Sequence, residues 1–130
     1  MSERKVAFFI DDDSDFLEMI PDVIQHPHFD VRTYCATNGY RSIDEVIKVK
    51  PDVLFIDFYL PRAKGAQVLP VLKSVRSLTN LPVYFITGYS KEEILPFLKG
   101  VDYNGILLKG DSLRAKILQI LDQMDPTISV

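Results

Sequence analysis

Five short, strongly apolar runs, separated by stretches of a different period, limit what this chain can fold into more than any other feature. They are "VAFFI" (6–10), "VRTYCA" (31–36), "VLFI" (53–56), "VYFI" (83–86) and "GILL" (105–108). Most are rich in β-branched or aromatic residues, which suit a pleated surface, so they read as strands. Four are nearly continuous rather than alternating, the pattern of strands covered on both faces. The second alternates and suits a sheet edge.

Between these runs the apolar residues recur at helical spacing. Phe16, Met19, Ile20, Val23 and Ile24 form one stripe, and Ile43, Val46 and Ile47 a second. Val68, Leu72 and Val75 form a third, Ile94, Leu95 and Leu98 a fourth, and Leu113, Ile117, Ile120, Leu121 and Met124 a fifth. Pro21, Pro70 and Pro96 fall inside three of these helices, where an interior proline costs about 3 kcal/mol and bends or delays the helix. The alternation predicts an α/β fold, (βα)5. Its crossovers are long enough to join parallel strands, with helices on both faces of a doubly wound five-stranded sheet. At 130 residues the chain fits one domain, 1–130, with a core of about 5–124 and a tail of 125–130.

Composition sets the class. With 47% hydrophobic and 25% charged residues the chain is an ordinary globular one. A net charge of −3 without a basic stripe argues against direct nucleic-acid binding through phosphates. No apolar run approaches the length of a signal-peptide core or a membrane span, which makes the cytoplasm the expected compartment. Cys35, the sole cysteine, has no partner for a disulfide within the chain and reads as a small buried hydrophobe. His26 and His28, in "QHPHF", read as surface loop residues rather than as a metal or phosphohistidine site.

In an open parallel sheet, function gathers beyond the carboxyl ends of the strands, where the strand order reverses. The first run ends in Asp11-Asp12, the third in Asp57, the fourth in Thr87 and the fifth in Lys109. The stretch "FFIDDDSD" (8–15) crowds four carboxylates into five positions, and each disfavours the ionised form of the next. A cation must offset them. Asp13 and Asp15 are separable from the rest as cap and first-turn residues of the following helix, favoured by its dipole. Lys109, directly after the fifth run, brings a positive charge to the same strand ends.

These motifs, "FFIDD", "PDVLFIDFYLP", "VYFITG" and "GILLK", resemble in order and spacing those of response regulator receiver domains, the phospho-accepting modules of two-component and chemotaxis signalling. The resemblance runs from residue 5 to about 124 and implies a strand order of 2-1-3-4-5. It implies that Asp12, Asp57 and the backbone carbonyl of Tyr59 bind Mg²⁺ directly, with Asp11 acting mostly through water. Asp57 would accept a phosphoryl group from a phosphohistidine on a sensor kinase or a phosphotransfer protein, and hydrolysis would follow. Lys109, Thr87 and Gly88 would contact the phosphoryl oxygens. Such a domain modifies itself and turns over no other substrate; its output is altered binding of a protein partner.

Three positions depart from the usual pattern. Gly110 replaces the proline that commonly follows the lysine, Ile106 stands where many members have a switching aromatic, and bulky Tyr59 lies two residues after Asp57. Tyr103 is a candidate substitute for the missing aromatic. With glycine at 110, the Lys109–Gly110 bond is expected to be trans, because only proline makes cis inexpensive. Two other readings stay open. One is an interaction module of the same fold that works without phosphorylation. The other is a phosphatase of the haloacid dehalogenase type, with Asp11 as nucleophile and Asp13 as acid/base.

Overall fold

The computed structural model describes residues 4–125. Helices and strands alternate: β1 (Lys5–Asp11), α1 (Ser14–Val23), β2 (Phe29–Cys35), α2 (Ser42–Val49) and β3 (Val53–Asp57). A short hairpin follows, β4 (Tyr59–Leu60) and β5 (Ala63–Lys64), then α3 (Gly65–Lys73), β6 (Val83–Thr87), α4 (Lys91–Ile94), β7 (Gly105–Leu108) and α5 (Leu113–Met124). The five long strands form one parallel sheet in the order β2-β1-β3-β6-β7. With the hairpin set aside, that is 2-1-3-4-5. The alternating strand β2 is at the edge, as its pattern requires. The hairpin was not legible as strand, since two residues carry no period. Of the expected tail, residues 126–130 lie outside the described residues.

Both faces of the sheet are covered. Leu17, Ile20 and Ile24 with Leu113, Ile117 and Leu121 pack α1 and α5 against Ala7, Phe9, Phe55 and Ile86. On the opposite face Ile43, Val46, Val68, Leu72 and Ile94 pack α2, α3 and α4 against Phe8, Ile10, Ile56 and Phe85. All five residues of β3 are buried, which explains its unbroken apolar run.

Several side chains depart from the sequence pattern. Leu17 takes the buried position in α1, leaving Phe16 half-buried and Met19 exposed. Ile47 and Leu95 are likewise exposed. α1 and α3 accommodate Pro21 and Pro70, whereas the fourth helix is a single turn continued as a 3-10 turn over Leu95–Phe97 that contains Pro96. Cys35 is exposed rather than buried, because it ends the edge strand beyond the helices' cover. His26 is buried, not a surface residue. Its Nε2 lies 2.9 Å from Asp122 Oδ1, and its Nδ1 accepts the His28 backbone N–H at 3.1 Å, so the ring ties α5 to the loop before β2.

The turn into α3 depends on Gly65. Its N–H donates to the Phe58 carbonyl at 2.6 Å, and a Cβ there would run into the buried Phe85 ring. Gly65→Ala is expected to destabilise the protein by about 2 kcal/mol through overpacking, read as a lower urea midpoint. An unchanged midpoint would show that the Phe85 ring yields freely.

Candidate functional site

The register of the strands builds the site. Ile10 pairs with Ile56 and Asp57 with Ile86, so Asp11, Asp57 and Thr87 emerge together at the carboxyl rim of β1, β3 and β6. Thr87 pairs with Leu108, which brings Lys109 to the same rim, and the Lys109 N–H donates to the Thr87 carbonyl at 2.8 Å. Every strand-end residue singled out from the sequence therefore meets here.

Lys109 Nζ lies 2.8 Å from Asp11 Oδ2 and 3.7 Å from Asp57 Oδ2, and sits over the Phe16 ring at 4.5 Å from its centroid. Asp11 Oδ1 accepts the Asp13 N–H at 3.0 Å, and Asp57 Oδ1 accepts the Tyr59 N–H at 3.1 Å. Thr87 is fully buried, and its Oγ1 accepts the Tyr89 N–H at 3.1 Å. A side chain at Gly88 would meet no atom within 4 Å, so space is open beside Thr87. Asp13 is occupied as the α1 cap, its Oδ1 accepting the Phe16 N–H at 3.2 Å, and Asp15 lies in the first turn of that helix.

The electrostatics follow from burial and charge. Burial, then the Asp11 charge, push the Asp57 carboxyl up to about 7 against the opposing pull of Lys109 and the Tyr59 N–H. Burial also raises Asp12, helped by its neighbour Asp11. Burial pushes Asp11 up too, but hydrogen bonds from Lys109 and the Asp13 N–H, with the Lys109 charge, outweigh it and hold Asp11 below the usual carboxylate value. For Lys109 the desolvation that would lower its pKa is overcome by Asp11 and Asp57, and it is raised.

The residues fit a hard divalent cation. Oxygens of Asp11, Asp12 and Asp57 lie within 4.8 Å of one another, Asp12 being exposed and the other two buried. Asp11 Oδ2 is buried with the Lys109 ammonium 2.8 Å away, and a carboxylate oxygen keeps a second lone pair for a further positive neighbour. An all-carboxylate donor set with an open side suits Mg²⁺, which keeps waters and phosphate oxygens in its remaining positions.

Two features escaped the sequence. The Tyr59 ring packs on Tyr89 at 4.7 Å, and these two residues stand at the same offset, two after Asp57 and two after Thr87. That shared offset was the available signal. Phe16 packs at the edge of the core and also lies beneath the Lys109 ammonium. Tyr103, half-buried, packs on Phe85 at 5.7 Å, and Ile106 pairs with Phe85 in the sheet. The Lys109–Gly110 bond is trans, as glycine at 110 leads one to expect: the described residues contain no cis peptide.

The model of the response regulator receiver domain matches residues 7–122. A protein-glutamate methylesterase/protein-glutamine glutaminase of Pyrococcus horikoshii is 30% identical over 107 residues, covering 79% of this chain and 27% of that protein. Its counterpart in Pyrococcus abyssi is 29% identical over 110 residues, covering 82% and 28%. The chain thus spans little more than a quarter of these relatives. Among solved structures, the chemotaxis protein CheY4 of Vibrio cholerae has a TM-score of 0.78 at 19% identity, covering 92% of this chain and 98% of that one. A CheY-like receiver domain protein of Methanospirillum hungatei has a TM-score of 0.77 at 17% identity, covering 95% of each. These likenesses show the fold, and the family model, spanning most of the chain, shows more: the chain belongs to the response regulator receiver domain family.

Proposed function

We propose that this chain is the phosphoacceptor of a two-component phosphorelay, taking a phosphoryl group on Asp57 from a phosphohistidine of a sensor kinase or phosphotransfer protein. The observation that supports this best is the meeting of buried Asp57 with Asp11, Asp12 and Lys109 at one rim. In the forward step an Asp57 carboxylate oxygen attacks phosphorus. The P–N bond breaks, and its electron pair leaves on the imidazole nitrogen, which takes a proton from water. In the return step a water oxygen attacks phosphorus, the bond to Asp57 breaks, and carboxylate and inorganic phosphate are released.

Lys109 screens the charge shared between Asp57 and the phosphoryl oxygens, and the Thr87 hydroxyl turns from the Tyr89 N–H to donate to one of them. Gly88 leaves room for the incoming group and offers its backbone N–H. Asp12, Asp57 and the Tyr59 carbonyl would hold Mg²⁺, with Asp11 acting through water. When bound, Mg²⁺ offsets the repulsion between the nucleophile and the phosphoryl anion. Asp13 is engaged as a helix cap, which supports this reading over the dehalogenase-type one. The reading places one receiver domain in the cytoplasm, with a protein as its downstream partner and no direct contact with nucleic acid. Among the described residues no helix is long and apolar enough to cross a membrane.

Incubation with acetyl phosphate and Mg²⁺ is expected to add one phosphoryl group to the intact mass, and none when EDTA removes the metal. An unchanged mass with the metal present would overturn the proposal. The Tyr59–Tyr89 ring pair should also restrict the attacking water. Tyr59→Asn is therefore expected to shorten the phosphorylated lifetime about fivefold, roughly 1 kcal/mol of barrier. A lifetime equal to the parent's or longer would refute the shielding.

A further inference from the structure

We propose that Phe16 is a positioning residue for Lys109, its ring face holding the ammonium where it meets Asp57; the proposal rests on the phosphoacceptor reading above. Lys109 Nζ lies 4.5 Å from the Phe16 centroid, within reach of the ring quadrupole. The ammonium is thus held from three elements: by Asp11 from β1, Asp57 from β3 and Phe16 from α1. A lysine needs such support, because its charge sits at the end of a flexible four-carbon stem.

The backbone beyond Lys109 gives little of it. Gly110 is exposed, and a Cβ there would meet nothing within 4 Å. The Lys109 N–H bond to the Thr87 carbonyl fixes the start of the stem but not its end. Phe16 borders the core rather than filling it. Leu17 and Ile20 take the buried positions of α1, while Phe16 stands half-buried beside a cavity of about 250 Å³ that it shares with Met19, Leu113 and Gly110. Any apolar side chain would serve that edge, but only an aromatic face attracts an ammonium. Charge that is already in place when the phosphoryl group arrives needs no reorganisation, and this is what makes such contacts catalytically useful.

The test combines NMR of the Lys109 side chain with the rate of phosphorylation by acetyl phosphate and Mg²⁺. In the parent, ring current should move the Lys109 terminal methylene protons upfield, and Phe16→Leu should return them to ordinary lysine positions. Phe16→Leu should also slow phosphorylation at saturating donor about 3- to 10-fold, the rate equivalent of one cation–π contact, with the half-saturating donor concentration unchanged. Phe16→Tyr should restore both. Unshifted methylenes in the parent, a parental rate in Phe16→Leu, or a Phe16→Tyr protein as slow as Phe16→Leu would overturn the proposal. If the parent itself takes up no phosphoryl group, the phosphoacceptor reading fails, while the chemical shifts still decide whether the ring holds the ammonium.

Discussion

Asp57→Asn protein is expected to take up no phosphoryl group from acetyl phosphate and Mg²⁺, and to be more stable than its parent in EDTA at pH 8. The loss of uptake follows from removing the attacking oxygen's charge. The gain in stability follows from the folded-state pKa of about 7, well above the ordinary 3.8. Between those values the folded state holds a proton that the unfolded state has released, so the parent loses stability as pH rises from about 4 to 7 and stays lower above that. The difference in pKa sets an upper bound of about 4 kcal/mol. Asn also gives up the Lys109 attraction, so a gain of about 2 kcal/mol is expected. Urea midpoints across pH should show the gap between variant and parent opening from pH 4 to 7, and Mg²⁺ should narrow it by binding the folded parent. A gap that is constant with pH would assign the raised pKa to another group.

Lys109→Ala should act in the opposite direction. Asp11 is almost wholly buried, and Lys109 is its partner at 2.8 Å. Removing one member of a buried ion pair leaves an uncompensated charge, and the expected loss at pH 8 in EDTA is about 3 kcal/mol. In the parent, the lowered Asp11 pKa contributes stability that is present above the ordinary carboxylate value and lost below it. Without the ammonium, burial drives the Asp11 pKa upward, so the variant should regain stability on acidification towards pH 5. Phosphorylation should slow by about 100-fold or more, since a preorganised charge on the transferred oxygens is gone. Stability that does not recover in acid would show that Lys109 supports packing rather than charge.

The strands and their ends were legible because β-propensity, burial on two faces and strand length all agreed. Once Ile10, Ile56, Ile86 and Leu108 were read as strand residues, the positions of Asp11, Asp57, Thr87 and Lys109 at one rim followed from topology. The helix faces were less legible. In α1 both Phe16 and Leu17 are apolar at helical spacing from Ile20, so two stripes about one residue apart compete, and packing against β1 and α5 selected Leu17. The exposure of Cys35 is invisible to periodicity, which does not show where a helix layer stops covering an edge strand. The burial of His26 depends on Asp122, 96 residues away, a pairing that no local pattern announces.

The two helical layers give the rim a mechanical meaning. The loops that follow Asp11 and carry Lys109 lead to α1 and α5, which pack on one face, whereas the loops after Asp57 and Thr87 lead to α3 and α4 on the other. A group gripped at once by Asp57, Thr87 and Lys109 is therefore a rivet through the sheet. It fastens two surfaces that lie on opposite sides of the strands. A partner resting on either surface would feel whether the rivet is in place, even where no side chain it touches has changed.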